Sequence, residues 1–215
     1  LATADPDGVS VSQSPGAAGN LTITGALATG GVATFDVARR VCIVSAGNDS
    51  AKTYTVYGTD RNGYTQSEAI LGGNIATVYT LKDFKTVTRV AIDAASAGAV
   101  TVGTNGVAST PWYVGDYRTG KTPIITCHLS SGASLTYTIE STSTNLNDMA
   151  LGIDAQITQA QNAVVFPSTD TSVVAASADQ QTNFINGMPG MRATINTFTS
   201  GTLTITFVTA SNAVA

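Results

Sequence analysis

Residues 84–106 read FKTVTRVAIDAASAGAVTVGTNG, and their side chains alternate with a period of two. Val90 and Ile92 fall on one face, and Arg89, Ala91 and Asp93 on the other. After the small residues 94–98, Val100 and Val102 alternate with Thr101. Successive strand residues point to opposite faces, so this pattern specifies half-buried strands joined by a turn, and predicts a β-hairpin. The same pattern returns near the C-terminus. RVAIDAASAGAVTV at 89–102 aligns without a gap with RATINTFTSGTLTI at 192–205, 103 residues further on. A second pair recurs in the same order: TYTV at 53–56 and TYTI at 136–139, offset by 83. Two ordered matches predict an internal duplication, with about 20 extra residues between the second pair of elements.

The strands 21–27, 32–37, 40–45, 53–59 and 65–70 precede the first long element. The stretch 41–44 (VCIV) is apolar on both faces, which suits a central strand. Asp60-Arg61-Asn62-Gly63 is a hairpin loop, because Asn-Gly adopts the positive φ that a tight hairpin turn requires. Gly and Pro loosen residues 107–122, so a domain boundary is placed near Arg118, with Trp112 plugging one end of the preceding domain. The pattern restarts with 124–129 and 135–139. The fold class expected is all-β: two tandem antiparallel β-sandwich domains, immunoglobulin-like or jelly-roll-like, at 20–118 and 119–215. Residues 1–19 form an N-terminal arm, and about 145–187 form an insertion carrying a short helix or an irregular loop, then short strands at 164–166 and 172–176. The expected core holds Val90, Ile92, Val100, Val102, Leu135, Ile139, Ile195, Leu203 and Ile205.

Composition narrows the functional classes. Only 11% of the 215 residues are charged and the net charge is −4, with no Lys/Arg cluster, which argues against a nucleic-acid partner. No apolar run approaches the roughly 18–20 residues a membrane-spanning helix needs, and no signal peptide is expected. Cys42 and Cys127 are too few for a disulfide framework and are expected as buried free thiols.

Catalytic chemistry is not expected either. The single histidine, His128, lies on the strand face opposite Cys127, so the two make neither a nucleophile–base dyad nor a shared metal site. No nucleophile-elbow, zinc or phosphate-loop spacing occurs. Asp5 with Asp7, and Asn48 with Asp49, offer oxygen ligands, but turn-forming Asx chemistry accounts for both without a metal. No cofactor and no metal are expected.

The stretches GNLTITGALATGGVATFDVARRVCIVSAGNDSAKTYTVYGTDRNG and DFKTVTRVAIDAASAGAVTVGTNGVAS, together about 20–109, resemble a group of small all-β virion structural proteins of tailed bacteriophages. The resemblance implies a non-enzymatic subunit of a virion, made in the host bacterial cytoplasm. Its partners would be further copies of itself, as a dimer or trimer, and the major capsid protein or other virion subunits. Within that class a capsid decoration (cement) protein is the leading expectation. A tail or head–tail connector subunit is the closest alternative. A carbohydrate-binding module of a receptor-binding fibre is the alternative from another class. The candidate interface residues are Leu1, Thr3, Asp5, Pro6, Val9 and Val11 of the arm, with the aromatics Trp112, Tyr113 and Tyr117.

Overall fold

A computed structural model describes residues 1–114, 124–146, 150–183 and 189–208 of the chain. The protein is built mainly from antiparallel β-strands, and it divides into two compact units, Leu1–Ala108 and Ser109–Ala215.

The first unit contains β1 (Ser10–Gln13), β2 (Gly19–Leu21), β3 (Ala28–Thr29), β4 (Val32–Ser45), β5 (Thr53–Thr59), β6 (Thr65–Leu71), β7 (Thr77–Ile92) and β8 (Val100–Thr104). Their order is β1-β8-β4-β7-β5-β6, with β2 also on β7 and β3 on β4. The long partners β4 and β7 stay paired across an irregularity between Thr34 and Arg39. Gly58 marks a second one in β5: a Cβ there would lie 1.8 Å from the Thr86 carbonyl oxygen, so only glycine fits. The core is assembled from alternate residues of these strands, among them Phe35, Val41, Ile43, Tyr54, Val56, Phe84, Val90, Ile92, Val100 and Val102.

The alternation assigned faces correctly here, but not neighbours. β7 and β8 do not form the expected hairpin, because β4 lies between them. The doubly apolar stretch of β4 takes the central place, with Ile43 opposite Val78 on one side and Val102 on the other. The link 94–99 serves other loops instead: Ser96 N–H donates to the Pro15 carbonyl (2.9 Å) and Ala46 N–H to that of Ala99 (2.8 Å).

The expectation of a separate arm at 1–19 is also overturned. β1 runs along β8, Val9 N–H donates to the Val102 carbonyl (2.9 Å), and Val9 itself is fully buried in the core. Asp5 crosses over Gly103 so closely that a Cβ there would meet the Asp5 carbonyl oxygen at 2.0 Å. Further towards the N-terminus, buried Arg39 pairs with Asp36 (2.7 Å) and donates to the Ala2 carbonyl (2.9 Å), while Ala2 N–H donates to Asp36 (2.6 Å). These residues are part of the first unit's own sheet and strap.

The second unit contains β10 (Ile124–Leu129), β11 (Ser134–Thr142), α1 (Ile153–Gln161), β12 (Phe166–Pro167), β13 (Gln180–Asn183), β14 (Gly190–Ser200) and β15 (Leu203–Val208); β9 (Ala108–Ser109) falls on the division. They form the sheets β13-β10-β15 and β12-β11-β14-β9. β14 and β15 therefore sit in different sheets, and the second expected hairpin is likewise absent. The boundary lies about ten residues before Arg118, because Thr110 and Tyr113 pair with Ala193 and Met191 of β14. Trp112 accordingly belongs to the second unit.

The stretch 145–187 is more than an insertion. Its helix is α1, and residues 171–173 form a 3-10 turn rather than a strand. Val173 and Ala176 are buried in the second core, and β13 pairs with β10 from Ile124↔Asn183 to Cys127↔Gln180. Of the expected core residues, Ile195, Leu203 and Ile205 are only half-buried. The reasons are local: the pairing of β14 shifts next to Ile195, between Thr136↔Thr197 and Tyr137↔Ile195, and β15 is an outermost strand.

Some cross-strand pairs are alike in the two units. In the first, Tyr54 faces Ile92 and Val56 faces Val90; in the second, Tyr137 faces Ile195 and Ile139 faces Ala193. Likewise Ile43 faces Val102, and Cys127 faces Ile205.

Candidate functional site

The most conspicuous exposed apolar side chains of the first unit lie within residues 71–81. Leu71 ends β6, Ile75 sits in the loop to β7, and Tyr79 and Leu81 share one face of β7; Leu71, Ile75 and Leu81 are 61%, 74% and 71% exposed. Ile75 has φ +50°, a left-handed backbone that a β-branched residue adopts only under strain. The loop is held from several sides: Ile75 N–H donates to the Gly47 carbonyl (3.0 Å), Asp49 N–H to that of Gly73 (2.8 Å) and Gly72 N–H to that of Lys52 (2.9 Å). A hydrogen-bonded loop thus presents a large apolar side chain to solvent.

Beneath that loop, Asp49 is fully buried and accepts hydrogen bonds from Lys52 Nζ, the Tyr54 hydroxyl and Ala97 N–H, each at 2.8 Å. Burial alone would raise its pKa, but these donors outweigh it and hold the carboxyl down at about 2. Burial first, then the same contact, pushes the Tyr54 hydroxyl far above its ordinary range. Asp49 is a structural tie between three loops, and among the described residues no cluster fit to hold a metal ion occurs.

The candidate interface residues of the N-terminal segment part company. Thr3, Pro6 and Val11 are exposed, whereas Leu1 and Asp5 are half-buried and Val9 is in the core. The aromatics are engaged within their own unit. The Arg192 guanidinium lies over the Trp112 ring (4.7 Å) while its Nε bonds Glu140 (2.8 Å), and Tyr113 stacks on Phe207 with ring centres 4.4 Å apart. Tyr117 lies outside the described residues.

Cys127 is buried and His128 exposed, on opposite faces of β10. What the sequence did not reveal is a partner for His128: its Nδ1 is 2.6 Å from Asp179, whose other oxygen accepts Leu129 N–H at 2.7 Å. The Leu129 amide first, then His128, keep the Asp179 carboxyl below its usual range. Fifty-one residues separate the pair, so no local spacing could have signalled it. Cys42 and Cys127 are free and buried, and burial pushes the Cys42 thiol up to about 11 and raises that of Cys127.

No protein-family model, curated protein or solved structure matches this chain.

Proposed function

We propose that this protein is a structural subunit of a bacteriophage virion, acting as a capsid decoration protein that binds the head surface and adds contacts between capsomers. The observation that carries the reading is the exposed Ile75 on its hydrogen-bonded loop, with Leu71, Tyr79 and Leu81 also exposed in the flanking strands, in a chain with few charges. Exposed apolar side chains of this size gain by packing against a neighbouring subunit. The resemblance of residues 20–109 to tailed-phage virion proteins points the same way. In this reading the protein is not an enzyme, its partners are the major capsid protein and further copies of itself, and it resides in the virion.

The tandem architecture belongs to the same proposal. Both units are read as β-sandwiches derived from one ancestral unit by duplication. The support is the pairing pattern: Tyr54–Ile92 corresponds to Tyr137–Ile195 at offsets of 83 and 103, and Ile43–Val102 resembles Cys127–Ile205 with the first residue shifted by one (offset 84), with the buried tyrosine hydroxyl bonded within its own unit each time.

Cosedimentation of the purified protein with heads and, separately, with tails of a tailed phage tests the proposal. Saturable binding to heads supports decoration. Binding to tails alone moves the assignment to the tail or connector alternative. Binding to neither, with specific signals on a glycan array, replaces it with the carbohydrate-binding alternative.

A further inference from the structure

Most outermost strands of the described structure are defended against pairing with another chain. β9 and β12 have two residues each, and β12 contains Pro167. β1 and β13 have four, and the register of β1 is irregular. β6 is longer, but its flank is engaged by β7: the Glu68 carboxylate accepts Leu81 and Lys82 N–H (2.8 Å each) and Lys82 Nζ donates to the Ser67 carbonyl (3.1 Å). β15 has none of these devices. Its six residues, LTITFV, carry no charge, no proline and no glycine, and pair without interruption on β10. Among the described residues its other side has no strand. In the first unit the strand with the corresponding register, β8, is covered on that side by β1.

We infer that the free edge of β15 pairs with the β15 edge of a second copy of this chain. The strand is self-complementary. In an antiparallel pair centred on Ile205, Thr204 of each copy faces Thr206 of the other, and Leu203 faces Phe207. Thr–Thr and apolar–apolar cross-strand pairs stabilise such a ladder, and no like charges meet. The inward face agrees: Leu203, Ile205 and Phe207 are half-buried against the second core, with Tyr113 stacked on Phe207, and each gains cover from the facing copy. Thr204 and Thr206 are exposed and form the outer row. Such a contact is isologous and closes as a two-fold dimer rather than propagating. It stands independently of the virion reading and involves a different unit from the exposed apolar side chains of 71–81.

Sedimentation equilibrium of the full-length protein tests it, with no phage particle present. The wild type is expected to dimerise. The double variant Thr204→Lys with Thr206→Lys is expected to dimerise about tenfold more weakly, from two like-charge cross-strand pairs, with unchanged circular dichroism. The companion variant Thr204→Glu with Thr206→Glu should fail alone in the same way. An equimolar mixture of the two should recover a mixed dimer, because each lysine then faces a glutamate. A monomeric wild type, or an oligomer indifferent to both variants, overturns the inference. If either variant misfolds, a Thr204→Cys protein mixed with a Thr206→Cys protein provides the check: the inference requires a mixed disulfide under oxidation, and its absence overturns the pairing.

Discussion

Replacing Asp49 gives a stability change whose size follows from the structure. Asp49→Ala leaves the Tyr54 hydroxyl and Ala97 N–H without their acceptor and Lys52 without its counter-ion. Lys52 is partly exposed and recovers water, but the Tyr54 ring is fully buried, so its hydroxyl does not. Breaking a buried, charge-assisted cluster from one side costs about 3–5 kcal/mol. Tyr54→Phe, which removes one bond and keeps the packing, costs about 1.5–3 kcal/mol. In the double variant the two losses should not add, since they share one hydrogen bond. The charge also sets a pH window. Asp49 is held near 2, below its ordinary value of 3.8, so the folded state favours the ionised form. That contribution, on the order of 2 kcal/mol, is complete above pH ~4 and is lost as the pH falls towards ~2. Asp49→Asn should lack this part of the acid sensitivity. Urea unfolding followed by circular dichroism reads both units, whereas the fluorescence of Trp112, the only tryptophan, reads the second. Asp49→Ala should move the circular-dichroism transition of the first unit and leave the Trp112 transition in place. A shift below about 0.5 kcal/mol for both Asp49→Ala and Tyr54→Phe would refute the role given to this carboxylate.

Three further outcomes are expected. Ile92→Ala should cost about 2–5 kcal/mol, and Ile195→Ala clearly less, because its side chain is only half-buried; equal losses in urea unfolding would contradict the difference between the two positions. Neither Cys42 nor Cys127 should react with a thiol reagent in the native protein near pH 8, and both should react in denaturant; prompt native labelling would show that one of them is reachable. Deleting residues 1–14 should lower the melting temperature of the first unit markedly, since it removes Val9 from the core and uncovers β8; an unchanged melting temperature would mean that the segment is peripheral after all.

The faces of the strands were legible in the sequence because burial leaves a period-two trace. Tyr54, Val56, Val90 and Ile92 alternate with polar or small residues and are buried, as are Tyr137 and Ile139 at the matching positions. Who pairs with whom was not legible. Alternation around a small-residue turn describes a hairpin and an interposed third strand equally well, and the choice here was made by β4, whose VCIV stretch needs neighbours on both sides. Val9 was missed for another reason. It is one valine among glycines and prolines, and its burial depends on Gly25 N–H bonding its carbonyl and on Gly103 leaving room for the passing chain, both distant in sequence. β13, with the sequence QQTN, has no apolar pattern, and its place is set by the backbone of β10. The exposed apolar side chains of 71–81 leave a mixed trace: Leu71, Tyr79 and Leu81 look like core residues, and only the positive φ and exposure of Ile75 reveal the direction in which the loop points.

That loop permits the most direct test of the attachment role. Asparagine adopts the left-handed backbone more readily than isoleucine, so Ile75→Asn relieves the strain at φ +50° while removing the apolar side chain. Its melting temperature should stay at or slightly above that of the wild type. The measurement is quantitative cosedimentation of wild type and Ile75→Asn with purified phage heads. Wild type should bind saturably and the variant at least about tenfold more weakly, the loss of one well-packed apolar contact of about 1.5–3 kcal/mol. Equal binding of the two proteins, with the fold of both intact, would contradict it.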